Sequence, residues 1–171
     1  MGITKSGDKT ESLVENLCKN VKVLKRGSPL GDAEYATAVE EFYIEIKKKT
    51  LNQVRPYKYI PVVAYNPDDD DWFVIPPDDI LDMASKRKGQ HTLNPFVCIG
   101  LGAVSKLTKG KKPKPTRWHK YHTTPAQLEG DIVSAFRKGE ASRRKKLFAQ
   151  KVYRTLKETV IAQKDEYGSA E

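Results

Sequence analysis

The sequence predicts an α/β fold: a mixed β-sheet core flanked by helices, followed by a basic helical extension. Three features point there. Segments with a helical apolar stripe lie near both ends, and short apolar runs of strand length lie between them. Turn-forming Gly, Pro, Asn and Asp residues separate the runs.

Residues 10–18 read as the first helix. Thr10 can cap it, and Leu13, Val14, Leu17 and Cys18 make one apolar stripe. Residues 21–24 begin a strand, and residues 27–31 carry turn chemistry. Residues 32–36 alternate as a strand does. Residues 42–47 form the clearest strand, with Ile44 and Ile46 on one side and Tyr43, Glu45 and Lys47 on the other. Residues 59–65 suit a buried strand with an irregularity at Pro61. Residues 72–75 make another strand, which Pro76 and Pro77 stop. A helix over 78–88 follows, with Pro77 near its first turn and acidic residues early. Residues 96–99 are a last short strand. Residues 106–120, rich in Lys and Pro, read as an extended basic loop. Thr124 and Pro125 open a helix with Leu128, Ile132, Val133 and Phe136 on one face, and Gly139 closes it. A final helix over 141–162 carries the stripe Leu147, Phe148, Val152, Leu156 and Val160.

The charge is large and uneven. The 171 residues carry a formal charge of +9. Residues 101–160 hold 16 Lys+Arg against 4 Asp+Glu, a net of +12, which leaves −3 for the rest. A core over 1–103 and a basic extension over 104–171, packed on that core as one unit, is the organisation expected. Such a surplus favours a polyanionic partner, nucleic acid first. No apolar run of about 18 residues exists, so no membrane span is expected. The first residues lack the apolar stretch of a signal peptide, and the expected location is cytoplasmic. Cys18 and Cys98 are too few for a disulfide framework or a zinc finger and read as reduced thiols.

The residues with chemistry are Asp32, Glu45 and Lys47. Glu45-Ile46-Lys47 puts a carboxylate and an ammonium on one strand face, roughly 7 Å apart along it. If the strands pair as a hairpin, Asp32 comes beside Glu45. Two carboxylates that close repel unless a cation neutralises them. A hard divalent cation such as Mg²⁺ takes ligands of this kind, and the Ile46 carbonyl is a further candidate. Lys47 would then orient or help deprotonate a water, or stabilise charge on a phosphate. The competing reading is that Glu45 and Lys47 are the solvent face of an amphipathic strand.

This pattern resembles the PD-(D/E)XK nuclease superfamily, the restriction-endonuclease-like fold. Here the motif is Gly31-Asp32, twelve residues, then Glu45-Ile46-Lys47, with Gly31 in place of the leading proline. The resemblance covers roughly residues 10 to 100. It implies a helix, a three-strand antiparallel part, a crossover and a further strand. It also implies a Mg²⁺-dependent DNA endonuclease, most simply a type II restriction-type enzyme, with Mn²⁺ able to substitute. A glutamate from the first helix often joins such sites, and Glu15, or else Glu11, matches that position. Gln53-Val54-Arg55-Pro56-Tyr57 fits the Q-x-x-x-Y spacing of some members, although Pro56 interrupts a helix there. Gln53 and Arg55 are therefore candidates for phosphate or active-site contacts.

Lys106, Lys109, Lys111, Lys112, Lys114, Arg117 and Lys120 form a charge run, and Arg143, Arg144, Lys145 and Lys146 form another. The functional reading is a clamp on the phosphates of double-stranded DNA, and the bland one is a solvated segment. Phosphate contacts carry no sequence information. A small enzyme cutting both strands would most simply be a homodimer. Two other readings stand beside this one: a homing or structure-specific repair nuclease, and a non-catalytic nucleic-acid-binding protein. The tract Asp68-Asp69-Asp70-Asp71 reads as a turn, with a metal site as the alternative. His119 and His122 are three apart, but a zinc site would need two more ligands.

Overall fold

The computed structural model describes residues 6–85, 100–105, 116–142 and 151. In chain order the elements are α1 (Ser6–Leu17), β1 (Val21–Val23), β2 (Ala33–Ala36), β3 (Glu41–Lys48), β4 (Val62–Asn66), β5 (Asp71–Ile75), α2 (Pro77–Ser85), β6 (His122–Thr123) and α3 (Leu128–Ala141). The expected strand at 96–99 and nearly all of the final helix lie outside the described residues. So do Cys98, Lys111, Lys112, Lys114, Arg143, Arg144, Lys145 and Lys146.

The fold is mixed α/β. Six strands form one sheet in the order β1-β2-β3-β4-β5-β6. Neighbours are antiparallel except β3 and β4, which are parallel. A parallel pair needs a crossover of about a dozen residues. Residues 49–61 supply it, with a 3-10 turn at Pro56–Lys58 and no α-helix.

Both faces of the sheet are covered. On one, Val14 of α1, Cys18 just after it, and Leu128, Ile132 and Ala135 of α3 pack over Ala33, Ile44, Ile46, Val63, Trp72 and Val74. On the other, Ile80 of α2 joins Leu51, Val54, Leu101, Val104 and Trp118 over Val62, Ala64, Phe73 and Ile75. Two-sided burial explains why β4 and β5 read as continuous apolar runs rather than alternating ones. Phe42 stacks between Tyr35 and Phe136, at centroid distances of 4.7 and 4.0 Å, and so fastens α3 to the β2–β3 hairpin. Burying one such ring stabilises by about 1.5–3 kcal/mol.

Several local expectations are corrected. The first helix starts at Ser6, so Thr10 is buried within it and does not cap it. Only half of its stripe faces the core, because Leu13 and Leu17 remain 39% and 40% exposed. β4 starts at Val62, not residue 59, because the 3-10 turn occupies the approach. α3 begins at Leu128, after a turn at 125–127. Gly139 does not close it. A Cβ there would stand 2.5 Å from Pro77 Cγ, so the glycine lets α2 and α3 touch. Residues 116–121 are not extended loop: Trp118 is buried, and His119–Tyr121 is a 3-10 turn leading into β6. Cys18 is a free, buried thiol, and burial pushes it up to about 12. Among the described residues no helix is long and apolar enough to cross a membrane.

A candidate metal and phosphate site on the central strands

Glu45 lies in the middle of β3, on the face shared with Val62 and Ala64. It is 1% exposed, a carboxylate sunk into an apolar layer. A charge so placed is costly unless compensated. Lys47, two residues along on the same face, brings Nζ to 2.8 Å from Glu45 Oε1. That contact is an ion pair, and among the described residues neither Glu45 oxygen has a hydrogen-bond partner. Arg55 Nη1 stands 3.9 Å from the same Oε1.

Asp32 sits one residue before β2, where pairing with β3 has run out at Ala33–Ile44. Its backbone N–H donates to the Ile44 carbonyl at 2.9 Å. Its Oδ2 accepts from Ile46 N at 2.7 Å, replacing the ladder bond that β2 no longer offers. The same Oδ2 is 3.9 Å from Lys47 Nζ. The Ile46 carbonyl leaves the strand on the side of its N–H, hence toward Asp32. Gly31 makes this approach possible. A Cβ at that position would stand 2.9 Å from the Ile44 carbonyl oxygen, and a proline carries the same Cβ. The structure thus brings Asp32, Glu45, Ile46 and Lys47 to one point, with Arg55 beside them.

Other candidates fall elsewhere. Glu15 is not with the pair. Its Oε1 accepts from Val23 N at 3.0 Å, on the outer edge of β1, where it covers an unpaired backbone donor. Gln53 is exposed at φ 54°, on a loop rather than a helix, and makes no described contact with the carboxylates. Arg117 donates to the Leu101 carbonyl at 3.0 Å and lies over the Trp118 ring, so its guanidinium fastens the chain to itself. Lys120 lies over the Tyr121 ring, 3.9 Å from Asp79. His119 and His122 do not converge. His119 Nδ1 accepts from Thr116 N, His122 pairs with Asp71, and both rings meet Phe73 edge-on.

One residue at the site was not foreseen. Lys58 closes the 3-10 turn before β4, and its ammonium is held below the usual lysine range, first by burial and then by Arg55. Glu45 and Asp32 act in the opposite sense. Nothing in the local sequence marks Lys58. Its position follows from the parallel return of the chain, which sets Glu45 opposite Val62 and lets Glu45 N donate to Pro61 O at 3.0 Å.

A cleft of about 430 Å³ lies between α2 and α3, beside β5 and β6, and includes Asp79, Lys120, His122 and Lys138. It holds none of the carboxylate pair. A polymer such as DNA is gripped along an open surface, so cavity size does not locate its site. Among the described residues no three His, Cys, Asp or Glu side chains cluster as a metal centre, so the protein offers two carboxylates here. No family model, curated protein or solved structure matches the chain.

Proposed function

We propose that this chain is a Mg²⁺-dependent DNA endonuclease of the PD-(D/E)XK, restriction-endonuclease-like type. One observation carries the reading: a fully buried Glu45 with an unpartnered Oε2, beside Asp32 and ion-paired to Lys47. Support comes also from the order of elements, a helix, an antiparallel β1–β3 meander, a crossover and a parallel β4.

The donor set fits a hard cation. Asp32, Glu45 Oε2 and the Ile46 carbonyl are all oxygen ligands, and a buried carboxylate oxygen without a donor is what a metal ion satisfies. Bound there, Mg²⁺ supplies Lewis-acid polarisation of a phosphoryl oxygen and a more acidic water. The chain's own residues do the rest. Lys47, held as the ammonium partner of Glu45, orients the attacking water and stabilises phosphate charge; it does not take the proton. The water oxygen bonds to phosphorus and its proton passes to solvent. The bond from phosphorus to the leaving sugar oxygen breaks, and that oxygen is protonated from solvent. The basic segments flanking α3 hold the duplex, and two copies related by symmetry cut the two strands, as a type II restriction-type enzyme does.

The test is purified protein on supercoiled plasmid and long linear DNA, with Mg²⁺ and with EDTA. Discrete Mg²⁺-dependent fragments, lost in Asp32→Asn while DNA binding persists, are expected. A smear or nicking alone would favour a repair or homing role. One observation favours a non-catalytic nucleic-acid-binding protein: Lys47 at 2.8 Å already neutralises Glu45 without metal. Salt-sensitive DNA binding with no cleavage in Mg²⁺ or Mn²⁺ would establish that reading instead.

A further inference from the structure

The space between the two carboxylates already holds a cation. Lys47 Nζ stands 2.8 Å from Glu45 Oε1 and 3.9 Å from Asp32 Oδ2. The Lys47 side chain is 17% exposed and that of Glu45 1%, so both charges have largely left water. Yet the two contacts are unequal. Asp32 Oδ2 is beyond hydrogen-bond range of the ammonium, and it already accepts from Ile46 N at 2.7 Å. Among the described residues neither Glu45 oxygen accepts a hydrogen bond. The ammonium thus supplies charge without saturating the oxygens. A divalent ion such as Mg²⁺ would need those same oxygens, at about 2.0–2.1 Å. Two cations that close disfavour one another, so the ion and the ammonium compete for one place. Lysine is suited to give way, because its charge rides on a flexible four-carbon stem.

We propose that Lys47 is the resident counter-ion of the metal-free site, and that a divalent cation binds in exchange for it, taking Asp32 and Glu45 Oε2 while the ammonium gives up its approach to Asp32. The inference rests on the nuclease reading above and concerns how that site is loaded. Without the ion, Lys47 keeps Glu45 from being an uncompensated buried charge, which is strongly destabilising. With the ion, the ammonium keeps Glu45 Oε1 and is released on its Asp32 side, where a phosphate oxygen is the anion it can meet. Loading the ion and presenting Lys47 to phosphate are then one event.

The experiment measures Mn²⁺ binding to the full chain without DNA, by equilibrium dialysis at pH 8, with Asp32→Asn as the blank. Lys47→Met should bind Mn²⁺ about tenfold or more tightly than the wild type, because the competing charge is gone. Lys47→Arg keeps the charge and should bind it no more tightly than the wild type. Thermal melting supplies a second readout. In EDTA, Lys47→Met should melt below the wild type. Saturating Mn²⁺ should then raise its melting point by more than it raises that of the wild type, since the ion replaces the missing cation. A lysine that is merely structural, with the ion held elsewhere, gives equal affinities and equal shifts. Mn²⁺ binding by Lys47→Met that equals or falls below the wild type overturns the exchange and leaves the nuclease reading intact. No Asp32-dependent ion in either chain overturns both. Lys47→Gln, which can donate a hydrogen bond to Glu45 in place of the ammonium, makes the same comparison if Lys47→Met does not fold.

Discussion

Two groups of carboxylates sit at opposite ends of β4, and they are built for different purposes. At the β4–β5 turn, Asp68 pairs with Lys49 at 2.7 Å, and Asp69 accepts from Asn66 Nδ2 at 2.7 Å and Ser105 Oγ at 3.2 Å. Asp70 accepts from Tyr65 OH at 3.0 Å, and Asp71 pairs with His122 at 3.0 Å. All four acids have a partner, and together they fold the turn. Beside the start of β4, Glu45 is buried with an oxygen that no hydrogen-bond donor among the described residues meets. The denser cluster in sequence is thus the satisfied one, and the sparse pair is the one that calls for a cation. Desolvation, not the number of acidic residues, separates a binding site from a turn.

The comparison is open to direct attack. The largest effect should come from Asp32→Asn or Glu45→Gln, each lowering Mg²⁺-dependent cleavage by about 10³-fold, or ~4 kcal/mol of transition-state stabilisation. Asp69→Asn or Asp70→Asn should leave the rate within about twofold; equal losses at both ends would abolish the distinction. Next is Gly31→Ala. Its new Cβ meets backbone, not a flexible side chain, so urea unfolding should show a loss of about 1–3 kcal/mol, and cleavage should fall with it as Asp32 is displaced.

Thermal melting gives a smaller readout. A divalent ion at ten times its dissociation constant should stabilise the wild-type chain by about 1.4 kcal/mol. That corresponds to ~3–6 °C for a chain of this size. The same ion should leave the melting point of Asp32→Asn unchanged, while Asp70→Asn should respond as wild type does. A response lost in the Asp70 variant instead would move the metal to the turn.

The smallest effect is a pH dependence far from both clusters. Arg137 makes paired hydrogen bonds of 2.8 Å to Glu40. These bonds hold the Glu40 carboxyl below its ordinary value of 4.5. The folded state therefore releases that proton more readily than the unfolded chain. The contribution is complete above the ordinary value and is lost as pH falls through the lower folded one. Glu40→Gln should lower the melting point slightly at pH 7 and have no effect at pH 2, in keeping with an exposed ion pair.

The comparison also shows which parts of the site were legible in the sequence. Glu45 and Lys47 were, because a period of two along one strand fixes their shared face whatever the strand packs against. Asp32 followed from a short hairpin, whose register is local. Glu15 was misplaced because helix periodicity says nothing about which strand edge a side chain will meet. Arg117 and Lys120 looked like a free basic run, since sequence does not show that Trp118 is drawn into the core and pulls its neighbours with it. Arg55 was already a candidate from the Gln53-x-x-x-Tyr57 spacing, whereas nothing in the local sequence marked Lys58.

By itself the sequence determined the strand periodicity of β3, the turn between β4 and β5, the amphipathic face of α3 and the positive surplus. These are short-range properties, set by backbone geometry and side-chain type over a few residues. Tertiary structure alone decided that β4 returns parallel to β3, that β6 closes the sheet edge and that Gly31 and Gly139 are contact points. It also decided that Glu45, an ordinary strand residue in sequence, loses water on every side. Those outcomes depend on pairing across a dozen or more residues, where burial and chain closure choose among registers that local pattern leaves equal.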